Sequence, residues 1–175
     1  MKKLFKNALV LIAVMALLSG CSLVNTDFSK IETPLLAKTP MDGKWTISKI
    51  IFQKEEEDFF AYKDFIGNDV LITSHGIIAD DTYLEKPTFR ARRIESKKYL
   101  EKRFNMDDKK LNISGKYLTV LDVYSKEELI YEMLKVDEEN AFIYKNGIFF
   151  KINKVSDEIT EKEFEQALNR IGQSS

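Results

Sequence analysis

Two neighbouring side chains, Ser74 and His75, are the first candidates for catalysis, because a serine activated by a histidine is a common nucleophile. His75 is the only histidine in the 175 residues. The chain has no Gly-x-Ser-x-Gly elbow, and on an extended backbone the two side chains would point to opposite faces. We therefore place a hydrolase third among three function classes and expect His75 to be a surface turn residue.

Carboxylates stand in pairs at Asp80-Asp81 and at Asp107-Asp108. A calcium loop needs oxygen ligands at alternating positions, and neither pair has that spacing. A single histidine also excludes a His-rich zinc site or an HExxH motif. We predict that both pairs lie in solvated turns. The sequence indicates no metal site and no cofactor, since no Gly-rich phosphate loop is present either.

Basic side chains cluster in the middle of the chain, at Arg90, Arg92, Arg93, Lys97 and Lys98. Our preferred interpretation is the solvent face of an edge strand, where charges prevent edge-to-edge aggregation. The alternative is a surface that meets anionic lipid headgroups or a wall polymer.

The N-terminus carries Lys2, Lys3 and Lys6, followed by an eleven-residue apolar run over residues 8–18. Such a run is too short to span a bilayer, which takes about 20 residues. It ends in Leu18-Ser19-Gly20-Cys21, which resembles the lipobox of bacterial lipoproteins. The resemblance implies that residues 1–20 are a signal peptide with a short apolar helix. It also implies that Cys21 carries a diacylglycerol and holds the protein on the outer face of the cell membrane.

Removal of residues 1–20 leaves 24 basic and 28 acidic side chains, a formal charge of −4. This balance excludes a basic nucleic-acid binder. Cys21 is the only cysteine, so the chain cannot form an internal disulfide and its stability must come from packing. Residues 21–40, with Pro34 and Pro40, have the composition of a spacer. Residues 41–175 are long enough for one domain with its own core.

From Gly43 onwards the sequence has the period-two pattern of β-strands. Residues 43–52 predict the first strand, with Trp45, Ile47 and Ile51 on its inward face. Seven further strands are predicted at residues 70–73, 77–79, 88–94, 117–124, 128–136, 141–145 and 148–155. Residues 58–66 suit a short helix or a lid, and residues 96–104 suit either a short helix or an extended edge.

The dipeptide Asn146-Gly147 between two β-rich runs predicts a tight hairpin, because both residues tolerate the positive φ of a type I′ turn. In that register Lys145 faces Ile148. One face then carries five apolar residues, which are Ala141, Ile143, Ile148, Phe150 and Ile152. The other face carries Phe142, Tyr144 and Phe149. Both faces are apolar near the turn, so we expect both to be covered.

A C-terminal helix is predicted by the capping box that Thr160 and Glu163 form around its first turn. Phe164, Leu168 and Ile171 follow at helical spacing and form one apolar stripe. We expect this helix to pack on the outer face of the hairpin, against Phe142, Tyr144 and Phe149. The alternative is that it packs elsewhere or against a partner.

About eight short strands and one final helix predict a mainly β fold, an antiparallel barrel with a C-terminal α-helix. Gly43-Lys44-Trp45 at the start of the first strand resembles the lipocalin-like (calycin) barrels, whose Gly-x-Trp motif closes the barrel base. The resemblance implies that a late basic residue, here Lys151 or Lys154, stacks on Trp45. The stretch from Gly43 through Phe65-Ile66-Gly67 to Pro87 also resembles small lipoproteins of low-GC Gram-positive bacteria, which implies location and fold.

Three functions are compatible with these residues. The first is a non-enzymatic lipoprotein that binds a small apolar ligand or an envelope protein, with Trp45, Phe89 and Phe150 as candidate ligand-binding residues. The second is an inhibitor or interaction module with a filled core, in which Trp45 is a plain core aromatic. The third is an envelope hydrolase, which would need two carboxylates in one cleft.

Overall fold

The computed structural model of this chain describes Leu36 and residues 39–54, 59–79 and 82–173. The strands are β1 (Gly43–Phe52), β2 (Asp69–Ile72), β3 (Gly76–Ala79), β4 (Thr82–Glu85), β5 (Thr88–Glu95), β6 (Tyr117–Ser125), β7 (Glu128–Lys135), β8 (Asn140–Lys145) and β9 (Ile148–Ser156). The helices are α1 (Ser96–Phe104) and α2 (Glu161–Gln173), and short 3-10 turns lie at Phe59–Ala61, Lys63–Phe65 and Asp108–Leu111. The predicted signal-peptide helix, Cys21 and Asp80-Asp81 lie outside the described residues.

The nine strands form one antiparallel sheet in the order β4-β3-β2-β1-β9-β8-β7-β6-β5. The sheet curls into a half-barrel, and the chain is mainly β, as the alternating pattern predicted. The last strand pairs back with the first, from Lys44 opposite Ser156 to Phe52 opposite Ile148. This is the connectivity of a lipocalin-like barrel with a C-terminal helix.

The two edge strands, β4 and β5, are joined directly through Lys86 and Pro87. Each of the eight strand pairings is antiparallel, so β4 and β5 run in the same sense. They are two halves of one bent strand, of which the first pairs with β3 and the second with β6. Proline has no N–H to donate to a ladder, which explains why the bend falls at Pro87. Sequence reasoning missed β4, because it lies only two residues from β3 and from β5.

The inner face of the sheet carries the main hydrophobic core, which includes Trp45, Ile47, Phe89, Met133 and Ile152. The prediction for the far end of β1 was wrong by one residue. Ile50 is buried in this core, whereas Ile51 packs on the outer face. The pairing of β1 with β9 shifts between Ile47 and Lys49, and this β-bulge reverses the alternation beyond it.

The hairpin of β8 and β9 has the predicted register, with Lys145 opposite Ile148 and Tyr144 opposite Phe149. Asn146 and Gly147 have φ of 50° and 86°, as a type I′ turn requires. Ile143 and Phe150 belong to the inner core, while Phe149 belongs to the outer cluster. Both faces are covered, as expected.

The cover of the outer hairpin face comes from α1 and not from α2. The Phe104 ring of α1 lies 4.6 Å from that of Tyr144 and 4.9 Å from that of Phe149, between ring centroids. Gln53 ties this layer together, since its side-chain amide donates to Phe104 O at 2.7 Å and accepts from Tyr144 Oη at 3.1 Å. Residues 96–104, which the sequence left undecided, are therefore a helix with a packing role.

Helix α2 instead lies over β2 and β3, where Ala167, Phe164 and Leu168 pack with Leu71 and Ile78. The prediction of its docking site was wrong for a topological reason. β9 ends at Ser156 beside Lys44, at the opposite end of the strand from the hairpin turn. A short connection therefore reaches the neighbouring β2 more easily than the distant aromatic face.

The predicted capping box of α2 is confirmed. Thr160 Oγ1 accepts from Glu163 N at 3.3 Å, and Glu163 Oε2 accepts from Thr160 N at 3.0 Å. Lys44 Nζ lies 2.9 Å from Asp69 Oδ2 and 3.9 Å from Glu163 Oε1, so the first turn of the helix also meets the sheet electrostatically.

Candidate functional site

A cavity of about 340 Å³ lies inside the curled sheet. Its lining includes residues beside the β1–β2, β3–β4 and β8–β9 connections, so it sits at the end of the barrel where these connections meet. This volume is at the lower limit for small-molecule sites. It holds roughly ten non-hydrogen atoms, at the ~30 Å³ that a water occupies in the liquid.

Inward-facing apolar side chains form the floor of the cavity, namely Ile47, Val70, Ile143, Ile148 and Phe150. They come from β1, β2, β8 and β9, and alternation along each strand directs them inward. The hairpin face that the sequence predicted supplies three of the five. A rigid, hydrogen-bonded part of the sheet therefore carries the floor.

One wall of the cavity is aromatic and comes from the β1–β2 connection. The ring of Phe65 lies 5.6 Å from that of Phe150 and 6.0 Å from that of Tyr62, between centroids. Tyr62 in turn meets Phe52 edge-on at 5.9 Å. All three distances lie within the range of attractive aromatic pairs, and the edge-on contact is one of the favoured arrangements. Residues 58–66, predicted as a short helix or a lid, thus include two 3-10 turns whose aromatics wall the cavity.

Backbone hydrogen bonds hold this connection against β1. Gly67 N donates to Ile47 O at 2.8 Å, and Ile47 N donates to Asn68 O at 3.0 Å. Ile47 is itself a floor residue, so the wall and the floor share an anchor. The cavity shape is therefore set by hydrogen-bonded backbone on both sides.

The mouth of the cavity carries a few polar groups, from Tyr131, Lys145, Asn146 and Thr82. The Lys145 ammonium lies 5.7 Å from the centroid of the Tyr131 ring, within the range of a cation–π interaction. Lys145 is exposed, and the ion pairs between described residues include none with it. An apolar pocket with a few polar groups at its rim can bind a ligand with an apolar body and a polar end.

Of the three predicted ligand-binding residues, Phe150 lines the cavity, while Trp45 and Phe89 lie fully buried in the packed core. The Trp45 indole N–H donates to Met41 O at 2.9 Å, so its polar group is satisfied. Lys154 Nζ lies 5.4 Å from the Trp45 ring, as the resemblance to lipocalin-like barrels implied for one of two lysines. Trp45 thus packs as a core aromatic of the barrel base.

Sequence reasoning missed Tyr62, Phe65, Tyr131 and Lys145 as cavity residues. Lys145 follows directly from the predicted hairpin, because its register partner Ile148 points inward. Tyr131 lies two residues before the core residue Met133 on β7. Residues two apart in a strand share a face, so this spacing could have identified Tyr131 as an inward-facing residue. Tyr62 and Phe65 belong to a connection without strand periodicity, so no pattern indicated them.

A second polar cluster is buried on the outer face of the sheet. Asp122 and Glu132 are cross-strand partners with only 5% of each side chain exposed. Arg92 pairs with Asp122, Arg103 Nε lies 3.3 Å from Glu132 Oε2, and Tyr99 Oη donates to Glu132 Oε1 at 2.8 Å. Burial and the neighbouring carboxylate of Glu132 raise the pKa of Tyr99, which keeps this donor protonated. Each carboxylate has an arginine partner, so the cluster fixes α1 on the sheet.

The remaining chemical candidates lie in turns. Ser74 Oγ lies 3.3 Å from His75 Nδ1, closer than an extended backbone would allow, but both residues are in the exposed β2–β3 turn. Asp107 caps the 3-10 turn at Asp108–Leu111 by accepting from Lys109 N at 2.8 Å. This backbone hydrogen bond lowers the Asp107 pKa. In the described part of the chain no three His, Cys, Asp or Glu side chains are grouped to hold a metal ion.

Among the described helices, none is both long and apolar enough to cross a membrane. Comparisons of the chain with protein-family models, with curated proteins and with solved structures found no match. We therefore infer the function from the fold, the geometry of the site and the sequence motifs.

Proposed function

We propose that this chain is a lipid-anchored, extracytoplasmic binding protein that holds a small apolar ligand in the half-barrel and catalyses no reaction. The observation that carries the proposal is the cavity of about 340 Å³ with its apolar floor and aromatic wall. The proposed anchor is the diacylglyceryl cysteine at Cys21, and its support is the register of Leu18-Ser19-Gly20-Cys21 behind a short apolar run.

The lining defines the class of ligand. About ten non-hydrogen atoms fit, and the floor offers them only aliphatic and aromatic contacts. The exposed Lys145 ammonium at the mouth suits a polar or anionic end group. Decanoate and 1-decanol are therefore matched probes, since they share the apolar chain and differ in charge.

Binding is tested by calorimetric titration of both probes into the protein and two alanine variants. Ala79 lines the cavity, whereas Ala91 packs on the same core from β5 and is not among the lining residues. Both are partly buried, so Ala79→Phe and Ala91→Phe are a matched pair. We expect only Ala79→Phe to abolish binding. Equal affinity of the two variants, or no binding by the unmodified protein, would contradict the proposal.

Lys145→Met tests the mouth separately. Loss of the ammonium should weaken decanoate by about tenfold, the effect of ~1.4 kcal/mol, and leave 1-decanol within about twofold. The same loss for both probes would show that Lys145 acts only through packing.

The anchor is tested by Cys21→Ala, which removes the thiol that carries the lipid. We expect an unprocessed precursor or a protein released from the membrane fraction. A Cys21→Ala protein that still incorporates labelled lipid and is cleaved after Gly20 would refute the anchor.

A second candidate function is binding to another envelope protein. The side chains of Phe60 and Ile66 on the β1–β2 connection are 74% and 42% exposed beside the cavity mouth. Exposed apolar residues mark a partner contact where they form one contiguous patch. A Phe60→Ser variant that loses a crosslinked partner but still binds decanoate would favour this function.

A further inference from the structure

The charge of this protein is strongly uneven. Residues 90–116 contain ten basic and four acidic side chains, a formal +6. The rest of the mature chain carries fourteen basic and twenty-four acidic side chains, a formal −10. Residues 90–116 comprise nearly all of β5, α1, the 3-10 turn Asp108–Leu111 and their connections, and we call them the basic face.

Two of these positive charges are used inside the fold. Arg92 and Arg103 pair with the buried Asp122 and Glu132, and this leaves eight basic against four acidic side chains. Exposed lysines on the basic face are Lys97, Lys98, Lys102, Lys109, Lys110 and Lys116. The ion pairs between described residues include none with Lys97, Lys102 or Lys109. These three exposed lysines therefore contribute positive charge to the surface of the described domain.

The N-terminal segment joins the domain at β5, the strand in which the basic face begins. Leu36 N donates to Phe89 O at 2.9 Å, so the chain meets β5 one residue before the basic face begins. Fifteen residues separate Cys21 from Leu36, and a chain of that length spans at most about 50 Å. A lipid on Cys21 would thus keep the basic face within about 50 Å of the membrane surface.

Acidic side chains are concentrated in other parts of the sequence. The β1–β2 and β3–β4 connections contain two lysines and seven acidic residues, which are Glu55, Glu56, Glu57, Asp58, Asp64, Asp80 and Asp81. An anionic surface would repel these acidic segments and attract the basic face. Clusters of four to eight basic side chains next to a membrane anchor are typical of binding to anionic headgroups.

We infer that the basic face docks on anionic phospholipid headgroups and so orients the barrel beside its own membrane. The choice of lipid over another polyanion rests on the proposed anchor at Cys21. The two acyl chains of a diacylglyceryl cysteine suffice for stable attachment, so the basic face would determine the orientation of the barrel at the membrane and not its attachment.

The test uses the mature chain with Cys21→Ser. This protein cannot carry the lipid, so its binding to vesicles does not depend on the proposed anchor. Vesicles of phosphatidylcholine with about one third phosphatidylglycerol are sedimented with the protein, and pure phosphatidylcholine vesicles serve for comparison. We expect binding only to the anionic vesicles at about 0.05 M salt, and its loss near 0.5 M, where charges are screened within a few ångströms.

Two triple variants with the same change of net charge locate the surface. Lys97→Gln, Lys102→Gln and Lys109→Gln together should weaken vesicle binding by about tenfold or more. Lys63→Gln, Lys126→Gln and Lys162→Gln remove exposed lysines elsewhere and should leave it within about threefold. Circular dichroism establishes that both variants are folded.

Three outcomes would overturn the inference. They are an absence of binding to the anionic vesicles, an equal loss in the two triple variants, and binding that salt does not weaken. Binding of soluble poly(glycerol phosphate) to the same protein is measured as well. If it binds to the basic face while vesicles do not, the partner is a polymer and the assignment to lipid is wrong.

Discussion

Gly43, the first residue of the Gly-x-Trp motif, is a position where any side chain should damage the fold. Its φ is +130°, a conformation that residues with a Cβ rarely adopt. A Cβ there would also lie 2.4 Å from Ser156 O, a backbone atom at the end of β9. Glycine is therefore needed both for conformation and for the close approach of β1 to β9.

The cost of Gly43→Ala can be estimated from these two terms. The strained backbone costs about 1–3 kcal/mol. Moving β9 away from the new methyl group adds about 1–3 kcal/mol, as for an overpacked core. A total of about 2–6 kcal/mol lowers Tm by roughly 5–20 °C in a domain of this size.

Thermal unfolding followed by circular dichroism and by the fluorescence of the only tryptophan, Trp45, measures this loss. Gly67→Ala is the control, because Gly67 has φ of +92° but nothing within 4 Å of its Cβ position. The control should suffer only the backbone strain and leave the Trp45 emission unchanged. Equal Tm values for the two variants would refute the role of the β1–β9 contact.

Three further predictions follow from individual contacts. Lys154→Met removes the cation that lies 5.4 Å from the Trp45 ring, so it should shift the Trp45 emission and lower the free energy of unfolding by about 1 kcal/mol. Lys151→Met is the control and should leave the emission unchanged. Identical spectra for both variants would contradict the stacking. Phe164→Ala should cost about 1–3 kcal/mol in urea unfolding, because Phe164 packs with Leu71 and meets Tyr83 edge-on at 6.0 Å, and Phe60→Ala is the exposed control. A stability equal to that of Phe60→Ala would mean that α2 is not cover for β2 and β3. Hydrogen bonds from the Thr160 hydroxyl and N–H lower the pKa of Glu163. The stabilisation that they supply is therefore present above the ordinary glutamate pKa and is lost as pH falls through the lowered pKa. In Thr160→Val the Glu163 pKa measured by NMR should rise, and an unchanged titration would rule out this coupling.

Local signals predicted local structure well. Asn146-Gly147 and the alternation beside it determine a register, and Thr160 with Glu163 determines a helix start, because both depend on residues only a few positions apart. The first strand was also predicted with its observed bounds. Its inward face was wrong beyond Ile47, since a β-bulge depends on the partner strand and leaves no signal in the strand itself.

Long-range packing was harder to predict. Phe142, Tyr144 and Phe149 need cover, and the sequence offered an apolar stripe only on the C-terminal helix. β9 ends beside β1, one strand away from β2, and this position directs α2 to β2 and leaves the aromatic face to α1. The outer ion cluster was hidden for the same reason. The sequence placed Arg92 on a solvent face. Its partner Asp122 lies on the neighbouring strand β6, and Glu132 lies on β7, so the cluster depends on strand pairing. The cavity wall at Tyr62 and Phe65 comes from a connection, where periodicity does not apply.

The most direct test of the binding function is native mass spectrometry of the lipidated protein, isolated from its own membrane without a delipidation step. We expect a small-molecule adduct in addition to the diacylglycerol on Cys21. The adduct should be lost from Ala79→Phe, which fills the cavity, and retained by Ala91→Phe. A protein that carries only its anchor lipid, or an adduct that both variants retain, would contradict a ligand site inside the barrel.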